Sequence, residues 1–589
     1  MAITSLAPQV RVLPELFDPA LELVTASGAA ELIDEYAARC RSVYSSGSTP
    51  RYTMLAALVA VATLLGQGMT PGLKRTLHRI YEFDDEQRQR LGLCADPEKH
   101  WLSDVRTSRA EYDRFYRWLM ARLKYVDSTQ DLPARRITNG EFHKRVAART
   151  TAQAEAARQA RQWMLTVANA IIAASVHDRW PVGYQGDLMI DETIFDVASV
   201  ASGMGAKSHK QRAAAPAAGI YVRSGGVVVD TPGAQIRGIR KSAFGDGVTS
   251  CGRLGPPGAR RTVAPVITAI TFDRPSSGSV SAVAEVLDWH QHNGFARART
   301  PRQRWPLLLV DMGYTNKRGF AATALERGYH PMGRYPANWH LRSQAHTSPV
   351  RGQPDLAGPI LDHGSAYCPA AEALLAGRLI HRFSDFDTAA KVRAHDNRLR
   401  ALLPYLMGTN SGIVKRRARR GRPTTDDYVW AQELVCPAVQ GRIRCPLKPA
   451  SLDVDPTRAP TASPTWQADH YRCCKNSSVV VTYTDSQLRR LQFGPVPGSW
   501  KFTFHLEDGR SANERSFQAI KSDHLTRLQH LKWGPRREPW NHLVIALAYA
   551  ITNRTVQTWT TPPADSWSQK ATELARILRH PPMLEPPRT

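Results

Sequence analysis

Three acids and two bases in this chain could do chemistry together. Asp191 follows the apolar run Leu188-Met189-Ile190, and Asp311 follows Leu307-Leu308-Leu309-Val310, so each of two buried strands delivers a carboxylate at its tip. One strand ending in Asp at a turn is ordinary; two are a more specific signal. A third acid, Glu514, stands in GRSANERSFQAIKSDHL (residues 509–525), four residues after Arg510 and seven before Lys521. At about 100° per residue, Arg510, Glu514, Phe517 and Lys521 share one helix face. Such a face can be no more than exposed ion pairs worth about 0.2–0.5 kcal/mol each. Ser511 and Glu514 could instead form a capping box, which would leave Arg510 outside the helix.

The elements that would position these residues follow from the hydrophobic pattern. Residues 30–180 read mostly as helix, with a long helix near 149–176 and a pair separated by GQGMTPG, where Thr70 would cap the second helix and Pro71 fit its first turn. That second helix carries Lys74, Arg75, His78 and Arg79, so it could enter DNA as part of a helix-turn-helix or be an ordinary helical hairpin. Strands are expected over 187–195, 219–230 and 263–273, then a helix (SVSAVAEVLDWHQHNG), the strand WPLLLVD, a helix (NKRGFAATALERG) and the short strand HPMGRYP. This order resembles the ribonuclease H-like fold, an α/β mixed sheet flanked by helices. The expected organisation is a helical amino-terminal region (1–180), a core in two parts (181–340 and 496–560) and a partly β insertion (341–495). SVVVTYTD in the insertion and SWKFTFH just after it read as strand-like; the Pro-punctuated tail (561–589) reads as loosely held. By alternation Glu192 and Asp196 point away from Asp191 toward the surface, whereas Asp187 shares its face as a spare ligand or, more simply, a solvent acid.

The totals point to the partner. A chain of 589 residues suggests three or four units. Lys and Arg number 78 against 52 Asp and Glu, a net charge of +26, spread through KRTLHR, HKQR, RGIRK, VKRRARRGR and KWGPRR, as binding to a phosphate backbone requires. The longest apolar run, MLAALVAVATLL, is shorter than a membrane span. With no secretory signal at its start, the sequence predicts a cytoplasmic protein with reduced cysteines. Cys436, Cys445, Cys473 and Cys474, with His470 nearby, could hold a structural Zn²⁺ or be buried thiols.

The motifs MIDET, LLVDMGYT and R-x3-E-x6-K, in that order, resemble the DDE transposases of the fourth insertion-sequence family. That family's last acid lies in a Tyr-Arg-Glu-Lys signature; Arg510, Glu514 and Lys521 match its final three positions, and Glu507 stands at the Tyr position. The resemblance covers about 186–335 and 496–555, and an insertion before the Glu is also typical of the family. It implies that Asp191, Asp311 and Glu514 hold two Mg²⁺ or Mn²⁺ ions, one activating water or a 3′-hydroxyl and one stabilising the leaving oxygen. Arg510, Lys521 and Arg334 would grip the DNA backbone, and Phe517 would turn inward. It further implies double-stranded DNA as partner, a homo-oligomer pairing two element ends, and a nucleoid-associated location in a bacterial host. A silent DNA-binding descendant, or a nuclease of the same fold without strand joining, are the competing readings.

Overall fold

The computed structural model describes residues 12–39, 51–94, 104–133, 135, 137–197, 199–200, 212–213, 217–231, 234–260, 262–275, 279–297, 305–335, 339–348, 355–417, 428–522, 524–535, 537–558 and 566–584. Two further α-helices, Pro14–Ser27 (α1) and Ala29–Arg39 (α2), pack on the first predicted hairpin, Met54–Gly66 (α3) and Leu73–Glu82 (α4). Helix α3 is apolar on every side, so it is stable only when wrapped, and Met54, Ala56–Leu65 are buried in the core. Its burial leaves α3 little surface of its own, while Lys74 and Arg75 on α4 remain exposed. The start of α4 differs from expectation: Gly72 is the cap and contributes no side chain, so neither Thr70 nor Pro71 begins the helix.

Val105–Leu123 (α5) and Thr151–Ala174 (α6) are the longest of the amino-terminal helices, the latter matching the predicted long helix. They do not form a separate core. Side chains from α1, α3 and α6 share one apolar cluster with the sheet and with the late helix Glu538–Gln557.

The chain is α/β, and its main sheet is mixed. The strands are Leu188–Asp196 (β1), Gly219–Thr231 (β2), Ala234–Arg253 (β3), Ile267–Asp273 (β4), Leu307–Val310 (β5) and His330–Met332 (β6). Strand β3 lies antiparallel between β1 and β4, while β1, β5 and β6 run parallel. The order through the centre is therefore β4-β3-β1-β5-β6, and β2 forms a long hairpin with the first half of β3. The sequence reading missed β3 and placed β2 in its role. Helix Ser279–His292 (α7) connects β4 to β5, and Phe320–Glu326 (α8) connects β5 to β6.

The outer edge of β4 is covered by two buried asparagines. On α6, Asn169 accepts from Ile270 N (2.9 Å) and donates to Ile270 O (3.0 Å). Asn553 does the same for Ile267, at 2.8 and 2.7 Å. Side-chain amides thus replace the missing neighbour strand.

Asp187 corrects another expectation: it is neither a spare ligand nor a solvent acid but fully buried. Its carboxylate accepts from Leu307 N at 2.9 Å and meets Arg260 at 3.4 Å. Anchoring the first residue of β5 to the residue preceding β1 sets the parallel register Leu188↔Leu308.

The insertion is built around the antiparallel strands Tyr428–Val435 (β7) and Ser478–Tyr483 (β8), preceded by the helix Ala389–Leu402 (α9). Of the basic run 415–422, Lys415, Arg416 and Arg417 lie exposed on a strand, and the remainder falls outside the described residues. SWKFTFH is not a strand. It opens the helix Trp500–Ala519 (α10), with Ser499 Oγ accepting from Phe502 N. That start excludes a capping box beginning at Ser511. The final helices are Glu538–Gln557 (α11) and Ser566–Leu578 (α12). Rather than hanging loose, α12 buries Leu574 and Leu578, and Trp567 and Lys570 hydrogen-bond Asp508 on α10.

Where α11 meets β3, two acids are buried together. Burial, reinforced by the negative charge of Glu538, pushes Asp246 up to about 8, with Arg274 pulling the other way. Burial drives His542 down to about 3, so this ring, stacked on Phe272, stays neutral and brings Asp246 no counter-charge. The folded chain therefore holds this proton more tightly than the unfolded chain, whose carboxylate titrates near 4. Its stabilising contribution is complete below pH ~4 and is lost as pH rises toward ~8. Asp246→Asn should remove that slope. The stability of the variant, read from urea unfolding, should differ from the parent by a constant amount below pH ~4 and gain on it from there to pH 8, the difference growing at up to ~1.4 kcal/mol per pH unit.

Candidate active site

Continuing the register of β1 and β5 by one residue beyond Ile190↔Val310 brings Asp191 beside Asp311. Asp311 lies one residue past β5, as expected, and accepts from Met312 N (2.7 Å) at the start of the helical turn Met312–Thr315. Asp191 is not a strand end: β1 continues to Asp196. What ends at Ile190 is the pairing with β5, so the carboxylate emerges where the two strands part. In open α/β sheets ligands bind at the carboxyl ends of parallel strands, and these two acids occupy that position.

Helix α10 crosses this edge. Its closest approach is at Gly509, where a Cβ would collide with Leu309 Cδ2; the missing side chain lets the helix lie against β5. The next residue, Arg510, and Glu514 one turn later then face the aspartates. Met189, Asp191, Leu309, Asp311, Arg334, Gly509, Arg510 and Glu514 line one cleft of about 190 Å³. The structure thus gathers the three acids from three distant parts of the chain, together with two of the predicted bases.

Within that cleft Glu514 is engaged by its neighbour. Arg510 Nε lies 2.9 Å from Glu514 Oε1, with both side chains more than half exposed. The hydrogen bond that Arg510 donates to Glu514 keeps its guanidinium firmly charged, and Asp311 adds to that effect. Among the described residues no three Asp, Glu, His or Cys side chains stand close enough to hold one metal ion. An exposed i,i+4 pair contributes only about 0.3–0.5 kcal/mol, so exchanging Arg510 for another partner costs Glu514 little.

Behind the aspartates the site is dry. Burial, with the charges of Asp191, Glu192 and Asp311, raises the Tyr314 hydroxyl well above its usual range. Burial and Asp191 raise Tyr549 likewise. Both tyrosines remain neutral, and negative charge collects at the cleft mouth. Glu192 and Asp196 are half-buried, and Asp196 faces Lys532 at 3.7 Å.

The bases divide. Arg334 lines the cleft and pairs with Glu507, so the acid at the signature's Tyr position holds a cation beside the site. Lys521 lies just past the helix cap Ile520 and is absent from the cleft lining. Its ammonium donates to Thr193 Oγ1 (3.0 Å) and Ile194 O (3.4 Å), strapping the end of α10 to β1. The side chain of Phe517 lies outside the described residues. Lys74 and Arg75 are exposed on α4, but Arg79 is only 4% exposed. Arg79 bonds Gln67 and Glu82, which overturns its expected contact with DNA.

The sequence reading missed an adjoining groove. Met312 and Arg334 are shared between the acidic cleft and a larger hollow of about 760 Å³, where Trp339, Arg342, Arg378 and Arg382 converge. Arg489 and Arg490 stand over the Trp339 ring at 6.0 and 5.8 Å. Guanidinium groups beside a half-buried aromatic ring suit a sugar–phosphate chain with an unstacked base. These residues share no sequence spacing that could have signalled the groove.

The predicted zinc quartet is also placed. Cys436, Cys445, Cys473 and Cys474 are buried free thiols, and His470 is exposed on the surface.

No family profile, curated protein or solved structure matches this chain. No helix among the described residues is long and apolar enough to cross a membrane.

Proposed function

We propose that the chain is a metal-dependent DNA transposase of the DDE type, cutting element ends and joining 3′-hydroxyls to target DNA. The observation that carries this reading is the single cleft shared by Asp191, Asp311 and Glu514. The central strand order, with β3 antiparallel and β5 and β6 parallel to β1, supports the ribonuclease H-like architecture on which such sites are built.

The donor set fits hard cations. Two adjacent carboxylates, with a third able to leave a weak ion pair, offer the oxygen ligands that Mg²⁺ and Mn²⁺ prefer. Asp191 and Asp311 would hold the metal and Glu514 would join them; bound there, the ions supply a nucleophile at neutral pH and stabilise the leaving oxygen. Arg510 and Arg334 orient the scissile phosphate by charge-assisted hydrogen bonds. The buried tyrosines and apolar strand residues exclude water from the inner side. The groove containing Arg378 and Arg382 receives the flanking DNA, and two element ends would be paired by a homo-oligomer in the bacterial cytoplasm.

The deciding experiment incubates the full chain with Mg²⁺ and linear DNA bearing the inverted repeats that flank its gene. Cleavage at the repeat ends followed by joined products supports transposition; cleavage without joining indicates a nuclease. Binding without cleavage would favour the silent DNA-binding reading, to which the Arg510–Glu514 pair lends its one specific observation.

The groove carries its own expectation. Replacing Arg378 and Arg382 together with Ala should weaken DNA binding across sequences and lower the slope of log K against log[salt] by about two, one per lost phosphate contact. Fluorescence anisotropy across a salt series checks this, and an unchanged slope would remove the groove from the DNA path.

A further inference from the structure

Five of the chain's eight cysteines lie in the insertion, and all five are buried free thiols: Cys368, Cys436, Cys445, Cys473 and Cys474. Three of them repeat one device. Each of Cys368, Cys436 and Cys445 is followed by proline, and each begins the same turn, closed by Ala371 N→Cys368 O (2.9 Å), Val439 N→Cys436 O (3.1 Å) and Lys448 N→Cys445 O (2.9 Å). The turn aims amides at the sulfur: Ala370 at Cys368, Ala438 and Val439 at Cys436, Leu447 and Lys448 at Cys445. Proline fixes the backbone for this arrangement without adding a competing donor. Amides pointing at sulfur stabilise a thiolate, the form that binds metal.

The devices converge. All five thiols lie in one buried cluster, close enough that Cys436, Cys445 and Cys474 each act electrostatically on Cys368. The thiol of Cys473 donates to Cys474. Positive charge is at hand, with Lys448 acting on Cys436 and Cys474 and Arg442 beside Cys436.

The surrounding chain needs a tie. Residues 436–477 leave β7 and return to β8 at its paired end, with Cys436 N bonding Ser477 O at 3.0 Å across the neck. Between those points the path is turns, a short 3-10 segment and a four-residue helical turn, with little apolar core. Such segments commonly depend on a bound ion.

We propose that Cys368, Cys436, Cys445 and Cys474 form a structural zinc site that locks the neck of the 436–477 excursion to the segment following Tyr367. Four thiolates match the closed tetrahedral shell of structural zinc, and Lys448 and Arg442 offset its negative charge. Cys368 enters the quartet predicted from sequence and Cys473 leaves it, acting instead on Cys474 from outside. Among the described residues no three such groups stand at metal-holding distance, so the proposal requires the four thiols to rotate inward when the ion binds. The site is independent of the DNA chemistry proposed above.

Metal analysis of the purified full chain should find one zinc per chain. Cys368→Ser and Cys445→Ser should each lose most of it, whereas Cys473→Ser and the surface variant Cys94→Ser should retain it. Should the ligand variants fail to fold, Co²⁺ exchanged into the unmodified chain gives the second readout: intense sulfur-to-cobalt absorption with a tetrahedral visible spectrum is expected. Zinc-free protein that takes up no stoichiometric Co²⁺, cobalt spectra without thiolate bands, or full zinc in Cys368→Ser would each overturn the site.

Discussion

Asp311→Asn should abolish Mg²⁺-dependent cleavage while leaving DNA binding within about twofold and the unfolding midpoint unchanged. The substitution keeps the size of a side chain that caps the turn Met312–Thr315 and removes only its charge. Loss of a preorganised group of this kind lowers turnover by about 1000-fold, a scale that surface effects do not reach. Asp191→Asn should match it, because the register makes the two carboxylates neighbours rather than separate sites. Asp288→Asn, which removes an exposed partner of Arg327 on α7, should change neither quantity. Glu514→Gln then tests the third acid: a loss of the same order means that it leaves Arg510 during catalysis. Cleavage that survives Asp311→Asn would end the metal-site reading.

The second large effect is structural. Trp500→Ala should cost about 3–5 kcal/mol, the range for removing a fully buried aromatic. Trp500 has no exposure and packs against Phe386 and His395, with ring centroids 4.8 and 4.9 Å away. Its indole N–H donates to Asp396 Oδ1 at 2.9 Å. Asp396 is itself buried and also accepts from Met583 N (2.8 Å) and Arg400 Nε (2.8 Å). This one residue thereby ties the first turn of α10 to the insertion helix α9 and to the chain's last described segment. Trp500→Phe should keep the packing and lose the donor, costing about 1–3 kcal/mol. Denaturant midpoints of the two variants separate these contributions. Since α10 also carries Arg510 and Glu514, cleavage should fall with Trp500→Ala even under conditions where the chain remains folded.

What could be read in advance depended on how much of each element was encoded locally. Strands β1 and β5 were legible because an apolar run leads into Asp191 and Asp311. The long helices α6 and α11 declared themselves by length and periodicity. Strand β3 was not legible: Gly238, Gly245, Gly247 and Gly252 interrupt it, and its conformation comes from pairing on both sides. Gly245 is required there because a Cβ would strike the backbone carbonyl of Phe195 across the sheet, a tertiary fact without a local signal. Trp500, Phe502 and Phe504 alternate like a strand, yet all are buried in a helix surrounded by core, where the period no longer reports exposure. The three acids that share the cleft were named from sequence, but the Arg510–Glu514 pairing and the strap at Lys521 needed coordinates. Cys368 was overlooked because it lies far along the chain from the other thiols, and the arginines of the adjoining groove have no common motif.

The asparagines bracketing β4 bear on how copies of this chain can meet. An incoming strand would seek amide and carbonyl partners along that rim and find Ile267 and Ile270 already occupied by Asn553 and Asn169. Fibril-like stacking or strand exchange is closed off on that flank.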